Sequence, residues 1–224
     1  MSKVVSVSGA AGTGKSTLLG NLPYRVNKFQ VARGVLNAMK MDLYDILKDP
    51  FKTIEFQEEI LRWKIDVDSN LHEDNEVEWT FVERCPADFY AFAKTWQPRF
   101  NSHEFDVWLE GYYSRCFDAM KYYDVAIIIP PGKFAHVDDG VRAKADTQET
   151  THTELDKMLS RRWGWANFTR PCFHFHRLES CDIIDRVNEV KNALNEATNY
   201  FSQNYANQLR TLSDLRPIVG HDRN

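Results

Sequence analysis

The chain has 224 residues, of which 43% are hydrophobic and 13% aromatic, so it can bury one sizeable core and is not an extensively disordered segment. Its 28 basic and 32 acidic residues give a formal net charge of -4, which argues against a broad cationic surface for sequence-independent nucleic-acid binding. No apolar run approaches the roughly 18 residues of a membrane span, and no leader pattern opens the sequence. We therefore expect a single domain over residues 1–224, soluble and cytoplasmic, without membrane contact.

A glycine-rich loop follows the first predicted strand. Residues 4–8 are rich in β-branched side chains and alternate as a strand does, and residues 9–17 then fit the pattern G-x-x-x-x-G-K-[ST]. In such a loop the backbone N–H groups contact phosphate oxygens, the lysine reaches the β- and γ-phosphates, and the hydroxyl after it binds Mg²⁺. We therefore predict an ATP and Mg²⁺ site formed by Gly9, Ala10, Ala11, Gly12, Thr13, Gly14, Lys15, Ser16 and Thr17.

The next predicted elements surround this loop. A short first helix ends before Pro23, a second strand lies within residues 24–30, and residues 31–39 form a helix from which Arg33 is free to face the site. Residues from about 42 to 75 are polar and helical in pattern. In a small-molecule kinase such an insertion forms part of the acceptor pocket, and a surface helical hairpin is the alternative interpretation.

Charged residues follow directly after a strand predicted over residues 76–82. Glu83 lies where open α/β sheets place their ligands, so it is a candidate Mg²⁺ ligand, directly or through water. Arg84 is a candidate for neutralising a transferring phosphoryl group. Pro86 suits the first turn of a helix, and Asp88 falls early in that helix, facing back toward the site.

The second half of the chain completes an alternating α/β pattern. A helix over 102–122 leads to the apolar strand 125–129, and the polar segment from about 132 to 150 suits a lid that carries Arg142 over the triphosphate. A helix is predicted over about 150–163, a fifth strand over 170–176 and a closing helix from 182 to 194 or beyond 200. His174 and His176 share a strand face, a spacing that some metal sites use, but the sequence indicates no third ligand.

Together, the loop at 9–17, the segment from Glu83 to Phe92 and the lid segment 138–146 resemble the P-loop kinase family that includes nicotinamide riboside kinase domains and many phage ATPases. The Glu-Arg pair also resembles the Asp/Glu-Arg-Ser and Asp-Arg-Tyr elements of deoxynucleoside and thymidylate kinases. The resemblance covers most of residues 1–195. It implies an α/β P-loop NTPase fold with a parallel five-stranded sheet flanked by helices on both faces, and a helical acceptor-side insertion and a lid beside it.

By position, this resemblance implies that Lys15 and Ser16 serve ATP and Mg²⁺, Glu83 the metal, Arg84 the acceptor or the transferring phosphoryl group, and Arg142 the lid. Arg33, from its place in the sequence, is a further candidate for binding the acceptor. Many relatives have a carboxylate at the end of the second strand that acts as a base toward an acceptor hydroxyl, whereas this sequence has Gln30. An anionic monophosphate acceptor needs no base. The first hypothesis is therefore a deoxynucleoside monophosphate kinase, and for a hydroxyl acceptor Asp88 is the best remaining base.

Two alternatives stay open. One is a phage-type kinase that phosphorylates a hydroxymethyl-pyrimidine within DNA, because basic and aromatic residues that could line a groove occur at Lys94, Trp96, Arg99, Arg161, Arg162, Trp163 and Trp165. The other is a nucleotide-dependent switch ATPase that acts on a protein partner. The expected partners are thus a small nucleotide or nucleoside, DNA in the first alternative, and a second copy of the chain if the protein is a homodimer.

Overall fold

The computed structural model of the protein describes residues 2–73, 76–132, 145–169 and 173–214, which form one parallel sheet with helices on both faces. The strand order is β2-β3-β1-β4-β5, and all four strand pairings are parallel. This confirms the predicted fold class. The strands are β1 (Lys3–Ser8), β2 (Arg25–Asn27), β3 (Trp79–Glu83), β4 (Val125–Ile128) and β5 (His174–Arg177).

Eight α-helices connect or follow these strands in the described residues. Local sequence explains where several of them begin. The Asp49 carboxylate accepts the backbone N–H groups of Phe51 and Lys52 ahead of α4, and the Ser102 hydroxyl accepts that of Phe105 at the start of α6. The helices are α1 (Lys15–Asn21), α2 (Val31–Met39), α3 (Leu43–Ile46), α4 (Pro50–Asp68), α5 (Pro86–Phe100), α6 (His103–Ala119), α7 (Ala145–Thr169) and α8 (Ile183–Asp214), with 3₁₀ turns at Leu71–Glu73 and Met120–Tyr122.

The core has two layers, one on each face of the sheet. On one face α1 and α8 pack against side chains such as Val5, Val7 and Ile127. On the other face α2 and α4–α7 pack against a set that includes Val4 and Ile128. Because successive strand residues point to opposite faces, a strand buried on both sides reads as a continuous apolar run, as residues 125–129 do.

The helical insertion belongs to this core. Phe56, Ile60 and Leu61 of α4 are buried, and α4 packs against α2, α5 and α6. The alternative of a surface hairpin is therefore wrong for α4.

Some element boundaries differ from the predictions. Helix α7 already begins at Ala145, and α8 extends to Asp214, whereas β3 begins at Trp79, three residues later than expected. Helix bounds are poorly fixed by periodicity alone because polar helical turns carry little apolar signal. Across the ranges described, no helix combines the length and the apolar character needed to cross a membrane.

Candidate active site

The loop between β1 and α1 takes a backbone path that requires glycine. Gly9, Gly12 and Gly14 have φ angles of 141°, 80° and 86°. A Cβ atom at Gly9 would lie 2.7 Å from the carbonyl oxygen of Ile129, closer than real contacts allow. The glycines of the motif thus serve a tight turn that brings the loop against the end of β4.

Side chains from three helices hold this loop in place. Asp88 of α5 accepts the Gly9 N–H at 3.0 Å, Gln148 of α7 donates to the Ala11 carbonyl at 2.8 Å, and Arg186 of α8 donates to the Thr13 carbonyl at 3.4 Å. Gln148 and Arg186 were not identified from the sequence, because each lies on a polar helix with no motif and reaches the loop only through the fold. Arg186 is fully buried.

The motif lysine crosses the loop that it follows. Lys15 is 4% exposed, and its ammonium donates to the carbonyl oxygens of Gly9 at 2.9 Å and Ala10 at 2.7 Å. This positions a buried positive charge on the inner side of the turn, next to the N-terminus of α1. Both features favour an anion at this end of the sheet.

Ser16 and Glu83 lie side by side, although 67 residues separate them. Strands β1 and β3 are neighbours, and their register pairs Val7 with Glu83, so both strands end beside the loop. The Ser16 hydroxyl donates to Oε2 of Glu83 at 3.1 Å. A hydroxyl and a carboxylate at this distance are hard oxygen donors of the kind that Mg²⁺ takes, so the two residues fit the predicted metal.

Arg84 adopts a left-handed backbone conformation with φ of 65°. Its N–H donates to the Val7 carbonyl at 2.9 Å, and its guanidinium donates to the Gly9 carbonyl at 3.3 Å and to Asp88 at 3.4 Å. Non-glycine residues seldom take this conformation, and such strain is common at functional sites. Here it directs a cation toward the phosphate loop immediately after β3.

Asp88 faces back toward the phosphate loop and is buried there rather than exposed in a cleft. It is 1% exposed, and its Oδ2 accepts the Cys85 N–H at 2.9 Å in a capping arrangement at the start of α5, while Oδ1 accepts from Gly9. Burial, with the Asp88 carboxylate beside it, raises the pKa of the Cys85 thiol to about 12. Because both carboxylate oxygens already accept hydrogen bonds, the arrangement suits a loop anchor rather than a base for a substrate.

Three adjoining clefts meet at Glu83. The first has a volume of about 550 Å³ and runs along residues 11–17 to Arg84. The second, of about 250 Å³, is lined by Gln30, Arg33 and Arg84 among others, and the third, of about 230 Å³, extends from Ser16 to Gln30. The structure thus brings Arg33 and Arg84 to one cleft beside the phosphate loop.

Lys64 of α4 also lines the second cleft and was missed at the level of sequence. It is 2% exposed, and its ammonium donates to the Glu83 carbonyl at 3.1 Å and pairs with Asp68 at 3.0 Å. Asp68 in turn accepts from the Tyr123 hydroxyl at 2.5 Å. The sequence pattern of a polar helix predicts that a lysine in its middle is exposed. Only the packing of α4 shows that Lys64 is buried.

Other predicted site residues lie elsewhere. Arg142 and residues 133–144 of the predicted lid lie outside the described residues. The basic and aromatic residues considered for a DNA groove do not line the three clefts, as far as the described side chains go. Arg99 instead packs on the Trp96 ring at 4.0 Å, and Arg162 is 8% exposed beside Phe117.

Solved structures of a deoxyadenosine kinase share the fold. Deoxyadenosine kinase from M. mycoides with bound dATP has a TM-score of 0.55 at 15% identity, and the same enzyme with bound dCTP has 0.55 at 14%. A third structure of that enzyme, with the products dCMP and a flexible dCDP, gives 0.52 at 16%. Each match covers 86% of this chain and 99% of the other. At these identities the likeness shows the fold.

The sequence comparisons give the family. No curated protein matches the sequence significantly. The family model described as "AAA domain" matches residues 4–167, which is most of the chain and includes the phosphate loop, Glu83 and Arg84. The chain therefore belongs to this AAA domain family.

Proposed function

We propose that the protein is an ATP- and Mg²⁺-dependent phosphotransferase whose acceptor is a deoxynucleoside monophosphate. The observation that supports this acceptor is the charge of the second cleft. Among the described residues that line it, three are cationic, namely Arg33, Lys64 and Arg84, and Glu83 is the one acidic residue.

The first cleft is the proposed donor site. Its walls are the phosphate loop and Arg84, which supply backbone N–H groups, the N-terminus of α1 and two cations for a triphosphate. Ser16 and Glu83 would hold Mg²⁺, which when bound supplies charge neutralisation at the phosphate oxygens. Asp88, Gln148 and Arg186 act as positioning residues, because each holds the loop backbone and not the cleft.

The second cleft is the proposed acceptor site. A phosphate monoester enters it as an anion, so an acceptor oxygen attacks the γ-phosphorus and the bond from that phosphorus to the β,γ-bridging oxygen breaks, which releases ADP. No proton has to be removed from this acceptor. Arg33 and Arg84 position and neutralise the two phosphates. Lys64 and Arg84 each contribute less charge than an unpaired cation, because Asp68 pairs with Lys64 at 3.0 Å and Asp88 pairs with Arg84 at 3.4 Å.

Gln30 supports the same choice of acceptor. It precedes α2 and lines both the second and third clefts, and an amide cannot take up a proton. With Asp88 buried and fully hydrogen-bonded, Glu83 is the carboxylate that remains along these clefts in the described residues. In this proposal Glu83 is already a ligand of Mg²⁺.

The test is ADP release measured with ATP, Mg²⁺ and each common deoxynucleoside or deoxynucleoside monophosphate in turn, with the phosphorylated product identified by ³¹P NMR. We expect turnover with at least one monophosphate and formation of the diphosphate. Turnover with nucleosides alone would contradict the monophosphate as the acceptor, but it would still support a phosphotransferase. If none of these acceptors stimulated ADP release, both the acceptor assignment and the phosphotransferase assignment would be contradicted.

A nucleoside acceptor is the second candidate. The similar structures are of a deoxyadenosine kinase, one of them with the products dCMP and dCDP bound. If this candidate holds, the assay yields a monophosphate from a nucleoside, and Glu83 is the carboxylate within reach of a hydroxyl.

The nucleotide-dependent switch ATPase that acts on a protein partner stays a prediction from the sequence. The same assay separates it from both kinases, because it predicts ADP release that no small acceptor stimulates.

A further inference from the structure

A second cluster of ligand-type side chains lies between β5 and α8. His174 and His176 alternate along β5 and so share one face, and α8 places Glu196 beside them. One potential ligand atom from each of the three side chains lies within 4.8 Å of the other two. We propose that His174, His176 and Glu196 form a binding site for a divalent transition metal ion such as Zn²⁺.

The hydrogen bonding of His174 favours a ligand at this position. Both of its ring nitrogens are buried, and neither accepts or donates a hydrogen bond to any residue that the structure describes. Its Nε2 lies 3.9 Å from Oε2 of Glu196, too far for a hydrogen bond. Buried polar atoms are nearly always paired, and a metal ion would satisfy the nitrogen nearest Glu196.

The chemical state of the ring fits as well. Burial lowers the pKa of His174, although the Glu196 carboxylate opposes this shift. The neutral imidazole, which is the form that binds metal, is therefore favoured near pH 7.

His176 is oriented by a further carboxylate. Its Nε2 donates to Oε1 of Glu189 at 3.2 Å, and Glu189 itself accepts the N–H groups of Glu179 and Ser180 at 2.8 and 3.0 Å. In a neutral ring that donates through Nε2, the lone pair is on Nδ1. Histidine ligands commonly have a carboxylate on the other ring nitrogen, which fixes the tautomer and the ring orientation.

The spacing is within reach of tetrahedral coordination. Ligand atoms about 2.0–2.2 Å from zinc lie roughly 3.3 Å from one another, so the cluster has to contract by about 1.5 Å at most. The Glu196 carboxylate can move closer to His174 than its present 3.9 Å, because its side chain is 63% exposed. Two nitrogens and one oxygen suit zinc better than Mg²⁺, and water would complete the coordination.

The site is separate from the proposed Mg²⁺ ligands. Those lie at the ends of β1 and β3, whereas β5 is the edge strand at one side of the sheet. A metal here would connect this edge strand to α8, the helix that carries the loop anchor Arg186. The expected effect is on stability, since binding to the folded state alone raises the unfolding temperature.

The experiment uses the full-length protein stripped with a chelator and titrated without nucleotide with ZnCl₂ by calorimetry and with CoCl₂ by visible absorption. We expect one ion per chain, intense tetrahedral Co²⁺ bands and a higher unfolding temperature with Zn²⁺. Glu196→Gln and His176→Ala should each weaken Zn²⁺ binding at least about 10-fold. The control Asp185→Asn removes an exposed carboxylate from the same helix and should leave the affinity unchanged.

Glu196→Gln keeps the test informative even if a histidine variant fails to fold, because Glu196 is largely exposed. Circular dichroism checks that each variant is folded. No saturable binding, or binding that neither Glu196→Gln nor His176→Ala weakens, would overturn the proposal.

Discussion

At the scale of single residues, Lys15 shows how the loop concentrates charge. Its ammonium is buried on the Gly9 and Ala10 carbonyls, next to the cleft proposed for ATP. Such a cation stabilises the charge that develops on transferring phosphate oxygens, and removing one such group costs about 100- to 1,000-fold in rate.

We therefore expect Lys15→Met to lower kcat with the best acceptor by at least about 100-fold, as measured by ADP release. Lys52→Met, which changes an exposed lysine of α4, serves as the matched control and should retain activity. Equal activity of the two variants would show that Lys15 does not serve the reaction.

Substitution of Asp88 distinguishes a positioning role of this residue from a catalytic role. Replacing it by asparagine removes the charge and one of the acceptors that hold the Gly9 and Cys85 N–H groups, so Asp88→Asn should lower the free energy of unfolding by about 1–3 kcal/mol. Urea denaturation measures this loss.

The pH dependence of kcat distinguishes the two roles. If Asp88 anchors the loop, Asp88→Asn keeps whatever acidic limb the wild-type profile has. If the variant is as stable as wild type but loses that limb, Asp88 acts as the base and the loop-anchor assignment is wrong.

At the scale of elements, glycine is required in the turn after β1 but not in helix α1. Gly9 has a positive φ and no room for a side chain, whereas nothing lies within 4 Å of a Cβ atom at Gly20 in α1. Gly9→Ala should therefore destabilise the fold by about 1–3 kcal/mol. Gly20→Ala should stabilise it by about 0.5–1 kcal/mol, because alanine restricts the unfolded chain.

Thermal unfolding of the two glycine variants measures both changes. Destabilisation by Gly20→Ala, or an unchanged unfolding temperature for Gly9→Ala, would contradict the backbone geometry described for these positions.

Helix α7 carries a histidine whose burial makes stability depend on pH. Burial lowers the pKa of His152, and the nearby Arg177 acts in the same direction while Asp156 opposes it. The unfolded chain takes up a proton at about pH 6.5, before the folded protein does, so the free energy of unfolding falls as the pH drops below that value.

Urea denaturation at pH 7.5, 6.5 and 5.5 tests this dependence. The decrease in stability toward pH 5.5 should be smaller in His152→Asn than in the wild type. An identical pH dependence in the two proteins would show that His152 does not contribute.

At the scale of the whole molecule, the proposed donor and acceptor clefts meet at Glu83, although different helices and loops line them. The phosphate loop lines the first, and α2 and α4 line the second. Because a ligand that binds only the folded state stabilises it by about 2.7 kcal/mol at 100 times its Kd, each proposed ligand should raise the unfolding temperature.

Arg33→Ala should abolish most of the shift caused by the monophosphate and keep the shift caused by ATP with Mg²⁺. Differential scanning fluorimetry measures both. Loss of both shifts, or of neither, would contradict the division into two clefts.

Association of the chain into a homodimer stays a prediction.

Much of this fold follows from local sequence. The phosphate loop, the buried strand after Asp124 and the helix started by Pro86 are determined by glycine geometry, by continuous apolar runs and by capping residues, all of which act over a few positions. The same local signals marked Glu83 and Arg84, because they directly follow a strand that enters the core.

Tertiary structure decided which distant side chains meet. Ser16 reaches Glu83 because β1 and β3 are neighbours, and Lys64 is buried because α4 packs into the core. Asp88 became a loop anchor for the same reason, and Glu196 joined His174 and His176 only through the packing of α8 on β5. Sequence alone determined the turn that suits a triphosphate, since that depends on adjacent residues. The charges of the proposed acceptor cleft come from side chains far apart in the chain, so only the packed fold could bring them together.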